Sequence, residues 1–370
     1  MAAATAFSRV PHLELSSWRE RSGSQLARSR ARSGRRVEGS FPSFGKGWNI
    51  FVLDPPFAIP SHALLRSNCP RMLYRLQYLP FIALVRFIGF LPRPLARGVG
   101  MAIGGLVYHI HRRLRRVGLR NLEMAFPNKP RAEHRRILRG VYKSLARLLA
   151  EFCLFPTYTL ENASQVAVYQ GFENFESAVK RSKGVLFLTG HFGGWEVGSF
   201  FHSLEGHPMR IVVRPLDNPY VDALVTRYRT LHGNSIIGKQ GFARGLLSAM
   251  EHNETVGILM DTNMTPPQGV FADFFGIPAC TAVGIARVAL HSDAAVIPAF
   301  TIWDPVLRKY RVEFGPAVEL VRTGDNEADA VANTALFNRI FEDYVRKYPD
   351  QWLWVHRRWK TRPPGGEPLY

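Results

Sequence analysis

The sequence predicts an α/β protein: a mixed, largely parallel central sheet flanked by helices, preceded by a membrane-associated helical segment. Three observations carry this. From residue 131 onward, apolar runs of strand length alternate with stretches of helical periodicity. Hydrophobic residues at 46% and charged residues at 21% exclude a disordered or fibrous chain. The charge is lopsided: residues 1–127 hold 20 basic and 5 acidic residues, whereas residues 128–370 hold 28 and 24. A near-neutral body therefore carries a strongly basic N-terminal third, which suits an anionic partner such as nucleic acid, an acidic protein or a lipid headgroup surface.

Residues 1–70 read as a disordered or over-extended N-terminus. Ser22 to Ser40 is mostly Ser, Arg and Gly, with no apolar periodicity from which to build a core. An organelle transit peptide has the same composition, and Met72 is an alternative first residue. Residues 71–118 form a basic, apolar helical segment. Its first block runs from Tyr74 to Leu91 and is broken by Pro92 and Pro94. Gly98 to His111 then carries no formal charge, and Arg112, Arg113, Arg115 and Arg116 follow at once. Neither run reaches the roughly 18 residues of a clean spanning helix. Apolar runs edged by arginine suit helices lying in a membrane interface. A single span interrupted by Arg86, or a pair of buried core helices, are the alternatives.

Residues 119–365 make the α/β domain. Glu133 to Phe155 is a long helix, with Ile137, Leu138, Val141, Leu145, Leu148, Leu149 and Phe152 at helical spacing. Strands follow at Val185–Thr189, Ile211–Arg214, Thr255–Asp261, Ala294–Trp303 and Tyr310–Phe314. Helices fall at Phe172–Ser182, Trp195–Leu204, Pro219–His232, Phe242–His252, Thr281–His291 and Glu327–Tyr348. Three scattered cysteines, Cys69, Cys153 and Cys280, exclude a disulfide framework or a cysteine-based zinc module. The Trp352, Trp354, Trp359 run with Arg357, Arg358 and Lys360 suits the headgroup level of a membrane. Alternatively, Trp352 and Trp354 pack in the core while the arginines face solvent.

His191, Arg214 and Asp261 sit where candidate strands end. Ligands of open α/β sheets bind beyond the carboxyl ends of the strands, so a base, a cation and an acid would line one crevice. His191 opens Gly190-His191-Phe192-Gly193-Gly194-Trp195-Glu196. With 12 histidines and 29 acids in 370 residues, about one His-x4-acid match is expected by chance. The single match here falls on a glycine-rich strand-to-helix turn. Gly193 and Gly194 would let backbone approach a ligand, and the helix start would aim amide groups at the crevice. Glu196 would hold the His191 imidazole and favour its charged form, as a general base requires. A helix-capping histidine beside an unrelated surface glutamate is the bland alternative.

The Gly190–Glu196 segment resembles the His-x4-acid signature of membrane glycerolipid and lipid A acyltransferases. Companion segments narrow the resemblance to the lauroyl/myristoyl-type, Kdo-dependent lipid A biosynthesis acyltransferase family, within the lysophospholipid acyltransferase superfamily. These are Asn121-Leu122 with Ala125-Phe126-Pro127, Arg214-Pro215 with Asn218-Pro219, Thr226-Arg227-Tyr228-Arg229, and Ile237-Gly238-Lys239. Asp261 after a hydrophobic strand, Phe274-Phe275-Gly276 with Thr281, and the run from Gln351 to Pro363 complete an ordered series over about residues 72–363.

The resemblance implies acyl transfer from an acyl carrier protein thioester to a hydroxyl of a lipid A precursor or similar glycolipid, at the cytoplasmic face of the cell inner membrane. In that reading His191 takes the hydroxyl proton and Glu196 orients the imidazole. Arg229 and Arg214 bind phosphate or the pantetheine arm. Asp261 positions Arg229 or a sugar hydroxyl, and Lys239 belongs to the same substrate-binding block. For Arg214 and Asp261 the alternative is a structural salt bridge; for Lys239 it is a solvated loop cation. No cofactor or metal is implied, the acyl carrier protein being a co-substrate. The implied partners are that carrier, the glycolipid acceptor and an anionic membrane surface, not nucleic acid. Two rival functions remain open. One is acylation of another membrane acceptor: a phosphatidylinositol mannoside, a lysophospholipid or an aminolipid. The other is a non-enzymatic basic protein that binds membrane or nucleic acid.

Overall fold

A computed structural model of the chain describes residues 68–238 and 242–370. The expectation for residues 1–70 therefore falls, up to residue 67, outside the described residues, and so does Lys239. Four helices come first: α1 (Asn68–Phe90), α2 (Arg93–Ile110), α3 (Arg112–Ala125) and α4 (Arg131–Leu154). Prolines set the breaks. Pro92 caps α2, with Pro94 inside its first turn, and Pro130 precedes α4. Gly100 and Gly104 face α4 so closely that a Cβ on either would collide with the carbonyls of Ala146 and Tyr142. The two backbones can approach only because these positions are glycine.

The single-span alternative is not met: Arg86 and the apolar block around it lie in one helix, α1, but that helix is not apolar enough to cross a membrane. No described helix is long and apolar enough to cross a membrane. The basic segment instead divides by face. Val85, Ile88, Ala96 and Tyr108 are buried, while Leu73, Leu76, Phe90 and Ile110 stay exposed. Glu151 of α4, fully buried, ties α2 down: the Arg93 Nε–H donates to it at 3.1 Å and the Arg97 Nε–H at 2.7 Å.

The α/β body follows as α5 (Leu160–Ala163), β1 (Ala167–Gln170), α6 (Phe172–Lys180), β2 (Val185–Thr189), α7 (Trp195–Leu204), β3 (Arg210–Val212), α8 (Pro219–Arg229), β4 (Ser235–Ile237), α9 (Phe242–Glu251), β5 (Thr255–Leu259), β6 (Gly269–Phe274), β7 (Ile277–Ala282), α10 (Gly284–Ser292), β8 (Ala295–Asp304), β9 (Lys309–Phe314) and α11 (Asn326–Lys347). Seven strands form one sheet in the order β1-β9-β8-β2-β5-β3-β4, and β6 and β7 form a separate hairpin. Among the described residues of the large sheet, only β8 and β9 pair antiparallel. The mixed, largely parallel sheet is thus as expected.

β2 and β5 lie side by side at the centre, and their connections leave in opposite directions, β2 toward β3 and β5 toward β8. Both strands read as continuous apolar runs, as strands covered on both faces do. The C-terminal tryptophans Trp352, Trp354 and Trp359 are fully buried, packed with Phe274, Phe300 and Phe341. Arg358 is buried with them, contrary to the expectation that the arginines face solvent. Its guanidinium donates to the Cys280 carbonyl at 3.0 Å and the Thr281 hydroxyl at 2.5 Å. Burial pulls its pKa down to about 10, against the pull of Asp261.

Candidate active site

The site follows from one register. Thr189 of β2 pairs with Leu259 of β5 in parallel. Two residues further on each strand bring His191 and Asp261 together: the His191 Nδ1–H donates to Asp261 Oδ1 at 2.9 Å. An ionised carboxylate only accepts, so Nδ1 carries a ring proton, and in the neutral ring the lone pair falls on Nε2. Asp261 Oδ2 accepts the indole N–H of Trp352 at 2.8 Å. Asp261 is 2% exposed, whereas the His191 side chain is 24% exposed. Burial alone would lower the His191 pKa, but the Asp261 carboxylate and its hydrogen bond outweigh it, and Glu196 adds to them, so the pKa is raised. Burial would raise Asp261, yet His191 and the donors around it hold it well below the usual carboxylate range.

The turn carrying His191 is tied to protein at every step. Gly193 has φ +55°, and a Cβ there would strike the Thr301 carbonyl. Its N–H donates to the Gln351 carbonyl at 2.7 Å, and the Gly194 N–H donates to the Thr301 carbonyl at 2.8 Å. The two glycines therefore serve close packing of the turn. They do not offer their amides to a ligand, which differs from the expectation drawn from the sequence.

Glu196 does not hold His191. It is the second residue of α7, and its carboxylate takes a two-pronged hydrogen bond from Arg229 at the end of α8: Nε–H to Oε2 at 2.9 Å, and Nη2–H to Oε1. The indole N–H of Trp195 also donates to Glu196, at 3.3 Å. The hydrogen bond to His191 expected of Glu196 is made by Asp261, and the partnership with Arg229 expected of Asp261 is made by Glu196. The physical reason is register: parallel strands set Asp261 beside His191, while the helix carries Glu196 toward α8. Glu196 and its hydrogen bond raise the Arg229 pKa against burial.

Arg214 lies two residues beyond β3, which ends at Val212, and pairs with Asp217 at 3.1 Å on the exposed surface. That is the salt-bridge alternative for this residue. Among the described residues no group of three His, Cys, Asp or Glu side chains is placed to hold a metal ion.

Sequence reasoning missed Trp352 as part of the site. The available signal was a tryptophan in a core-like run, whose buried indole N–H needs an acceptor. A cavity runs beneath α7 and is lined by Glu196 and Arg229 together with apolar residues that include Phe187, Met209, Leu259 and Phe314.

With this geometry in hand, residues 69–361 match the family described as bacterial lipid A biosynthesis acyltransferase. The chain is 27% identical over 281 residues to a lipid A biosynthesis palmitoleoyltransferase of Escherichia coli, covering 76% of this chain and 90% of that protein. It is 26% identical to the lauroyltransferase of the same organism, over 74% of this chain and 88% of that one. A lipid A biosynthesis acyltransferase of Haemophilus influenzae is 29% identical, with coverages of 76% and 89%.

Proposed function

Because the chain belongs to the bacterial lipid A biosynthesis acyltransferase family, we propose that it moves a fatty acyl chain from an acyl carrier protein thioester to a hydroxyl of a lipid A precursor or similar glycolipid. The observation that carries the chemistry is the His191–Asp261 pair. Asp261 accepts the hydrogen bond of the Nδ1–H and so directs the Nε2 lone pair of the neutral, partly exposed ring at the incoming hydroxyl. As that oxygen attacks the thioester carbonyl, Nε2 removes its proton. Asp261 then stabilises the imidazolium; as the carbon–sulfur bond of the tetrahedral adduct breaks, the imidazolium gives its Nε2 proton to the departing thiolate, leaving the carrier thiol and a neutral His191.

Glu196 acts beside this pair and not through a hydrogen bond to it. It fixes Arg229, whose remaining N–H groups serve the phosphate or the pantetheine arm of the substrates. The apolar cavity under α7 takes the acyl chain. The relatives' names include lauroyl and palmitoleoyl transfer at nearly equal identity, so no chain length is favoured.

We place the reaction at the cytoplasmic face of the inner membrane. The exposed Leu73, Leu76, Phe90 and Ile110 of the basic N-terminal helices support this. Mass spectrometry of membrane lipids tests the reading. Cells carrying the intact gene should contain a glycolipid heavier by one acyl chain, and cells carrying His191→Ala at equal protein level should lack it. Equal acylation in the two would overturn the assignment.

A further inference from the structure

His191 and Asp261 come from two strand ends, and a third segment touches both. Gln351–His356 grips the His191 turn along its backbone. Its Gln351 carbonyl accepts the Gly193 N–H, its Leu353 N–H donates to the His191 carbonyl at 3.0 Å, and Phe192 and Trp352 form an isolated antiparallel bridge. The same segment grips Asp261 by side chains. Trp352 donates its indole N–H to Oδ2 at 2.8 Å, and the His356 ring sets Nε2 3.2 Å from the Asp261 carbonyl oxygen.

Trp352 and Asp261 are both buried, so neither group can exchange its partner for bulk water. Each carboxylate oxygen thus has one donor, Oδ1 from His191 and Oδ2 from Trp352. A carboxylate tethered at one oxygen can rotate; tethered at both, its plane is fixed, and with it the imidazole that it orients.

We propose that Trp352 is a positioning residue for acyl transfer: its indole N–H locks the Asp261 carboxylate, and the Gln351–His356 segment clamps the two halves of the His191–Asp261 pair together. The inference rests on the reading of His191 as the base. Trp354 supplies the contrast. It is equally buried, but its indole N–H donates to the Pro349 carbonyl at 2.6 Å and its side chain bonds neither His191 nor Asp261.

The charges facing the pair are Glu196 from α7, Arg229 from α8, and His356 and Arg358 from the C-terminal segment. All of them persist in Trp352→Phe, which removes only the donor and one ring. Without that donor the carboxylate is less stabilised and holds the imidazolium more tightly. The acid limb of the rate profile therefore moves to higher pH. Asp261→Asn moves the same limb the other way.

The experiment is the pH dependence of kcat and kcat/KM for purified, folded Trp352→Phe, Trp354→Phe, Asp261→Asn and His191→Ala, with acyl carrier protein thioester and a lipid A precursor. For Trp352→Phe we expect kcat to fall about tenfold, less than the roughly 10²–10⁴-fold that the general base itself contributes. KM should stay nearly constant, and the acid limb should rise by roughly half a unit to one unit. Trp354→Phe should leave the limb in place. If the limb of Trp352→Phe stays put while Asp261→Asn shifts it, the positioning role is overturned and the assignment of the base survives. If His191→Ala keeps its turnover, both fall. Should Trp352→Phe fail to fold, site-specific benzothienylalanine at position 352, which replaces the N–H by sulfur in a ring of the same shape, reads the same limb.

Discussion

Asp261→Asn tests the site with the smallest change of shape. The asparagine side chain fits the same buried space, but one carboxylate oxygen becomes an NH2 group. Trp352 Nε1 can only donate, and it lies 2.8 Å from Oδ2. The amide therefore turns its oxygen to Trp352 and its NH2 to His191 Nδ1, 2.9 Å from the other position. His191 must then accept at Nδ1 and carry its proton on Nε2, the nitrogen that has to receive the proton of the acceptor hydroxyl. The base is lost while the fold is kept. Turnover should drop about 10²–10⁴-fold, equivalent to about 3–5 kcal/mol of barrier.

The pH profile supplies an independent reading. In the native protein Asp261 holds the His191 pKa above its ordinary 6.5 against burial, so the acid limb lies above that value. In the variant burial acts with less opposition, and the residual activity should show its acid limb at lower pH. The assay is steady-state transfer from acyl carrier protein thioester on variants with matched melting temperatures. Near-native turnover with an unmoved limb would refute the argument.

Glu196→Gln and Arg229→Ala should each weaken transfer mainly through a higher KM. Because the two side chains act as one unit, the double variant should lose far less than the product of the single losses, as kinetics on all four proteins would show. Glu151→Gln breaks a buried carboxylate that is bonded by Arg93, Arg97 and Tyr158. It should cost about 3–5 kcal/mol, read as a clear fall in denaturation midpoint. Leu76→Asp with Phe90→Asp removes two exposed apolar side chains, each contributing at most about 1.5–3 kcal/mol when buried, and should lower sedimentation with anionic vesicles by at least roughly tenfold. The His191–Asp261 pair should stabilise the fold most between the ordinary carboxylate value of 3.8 and the ordinary imidazole value of 6.5. Its contribution falls as acid protonates Asp261 through its lowered pKa, and as base deprotonates His191 through its raised one. Urea denaturation of native protein and Asp261→Asn across that range would show the difference.

Most of the scaffold was legible because long apolar runs bounded by glycine or charge leave little choice. Val185–Thr189 and Trp195–Leu204 come out with the predicted bounds. The misses share a cause. β4 is three residues long, and β1 four, too short for a period to show. β7 contains Pro278, which demotes a strand reading, and the helix expected from Thr281 begins only at Gly284 because Thr281 closes the hairpin.

At the site, local spacing paired His191 with Glu196, since five residues is all that local spacing can see, whereas the hydrogen bond runs to Asp261. Asp261, 70 residues away, becomes the neighbour only once β2 and β5 pair. Strand-end position had already singled it out, and the missing step was the order of strands in the sheet. Trp352 depended on a segment whose burial no period announces.

The clamp on Asp261 also sets a clock on the ribosome. Trp352 lies 91 residues beyond Asp261, and at roughly 5–20 residues per second its synthesis lags by roughly 5–20 s. Throughout that interval β2 and β5 can already be paired and His191 can already face Asp261, yet one carboxylate oxygen has no indole to meet it and the turn at Gly193 has no Gln351 carbonyl. A nascent chain therefore carries every strand of its sheet, the last ending at Phe314, before it carries the indole that completes the site.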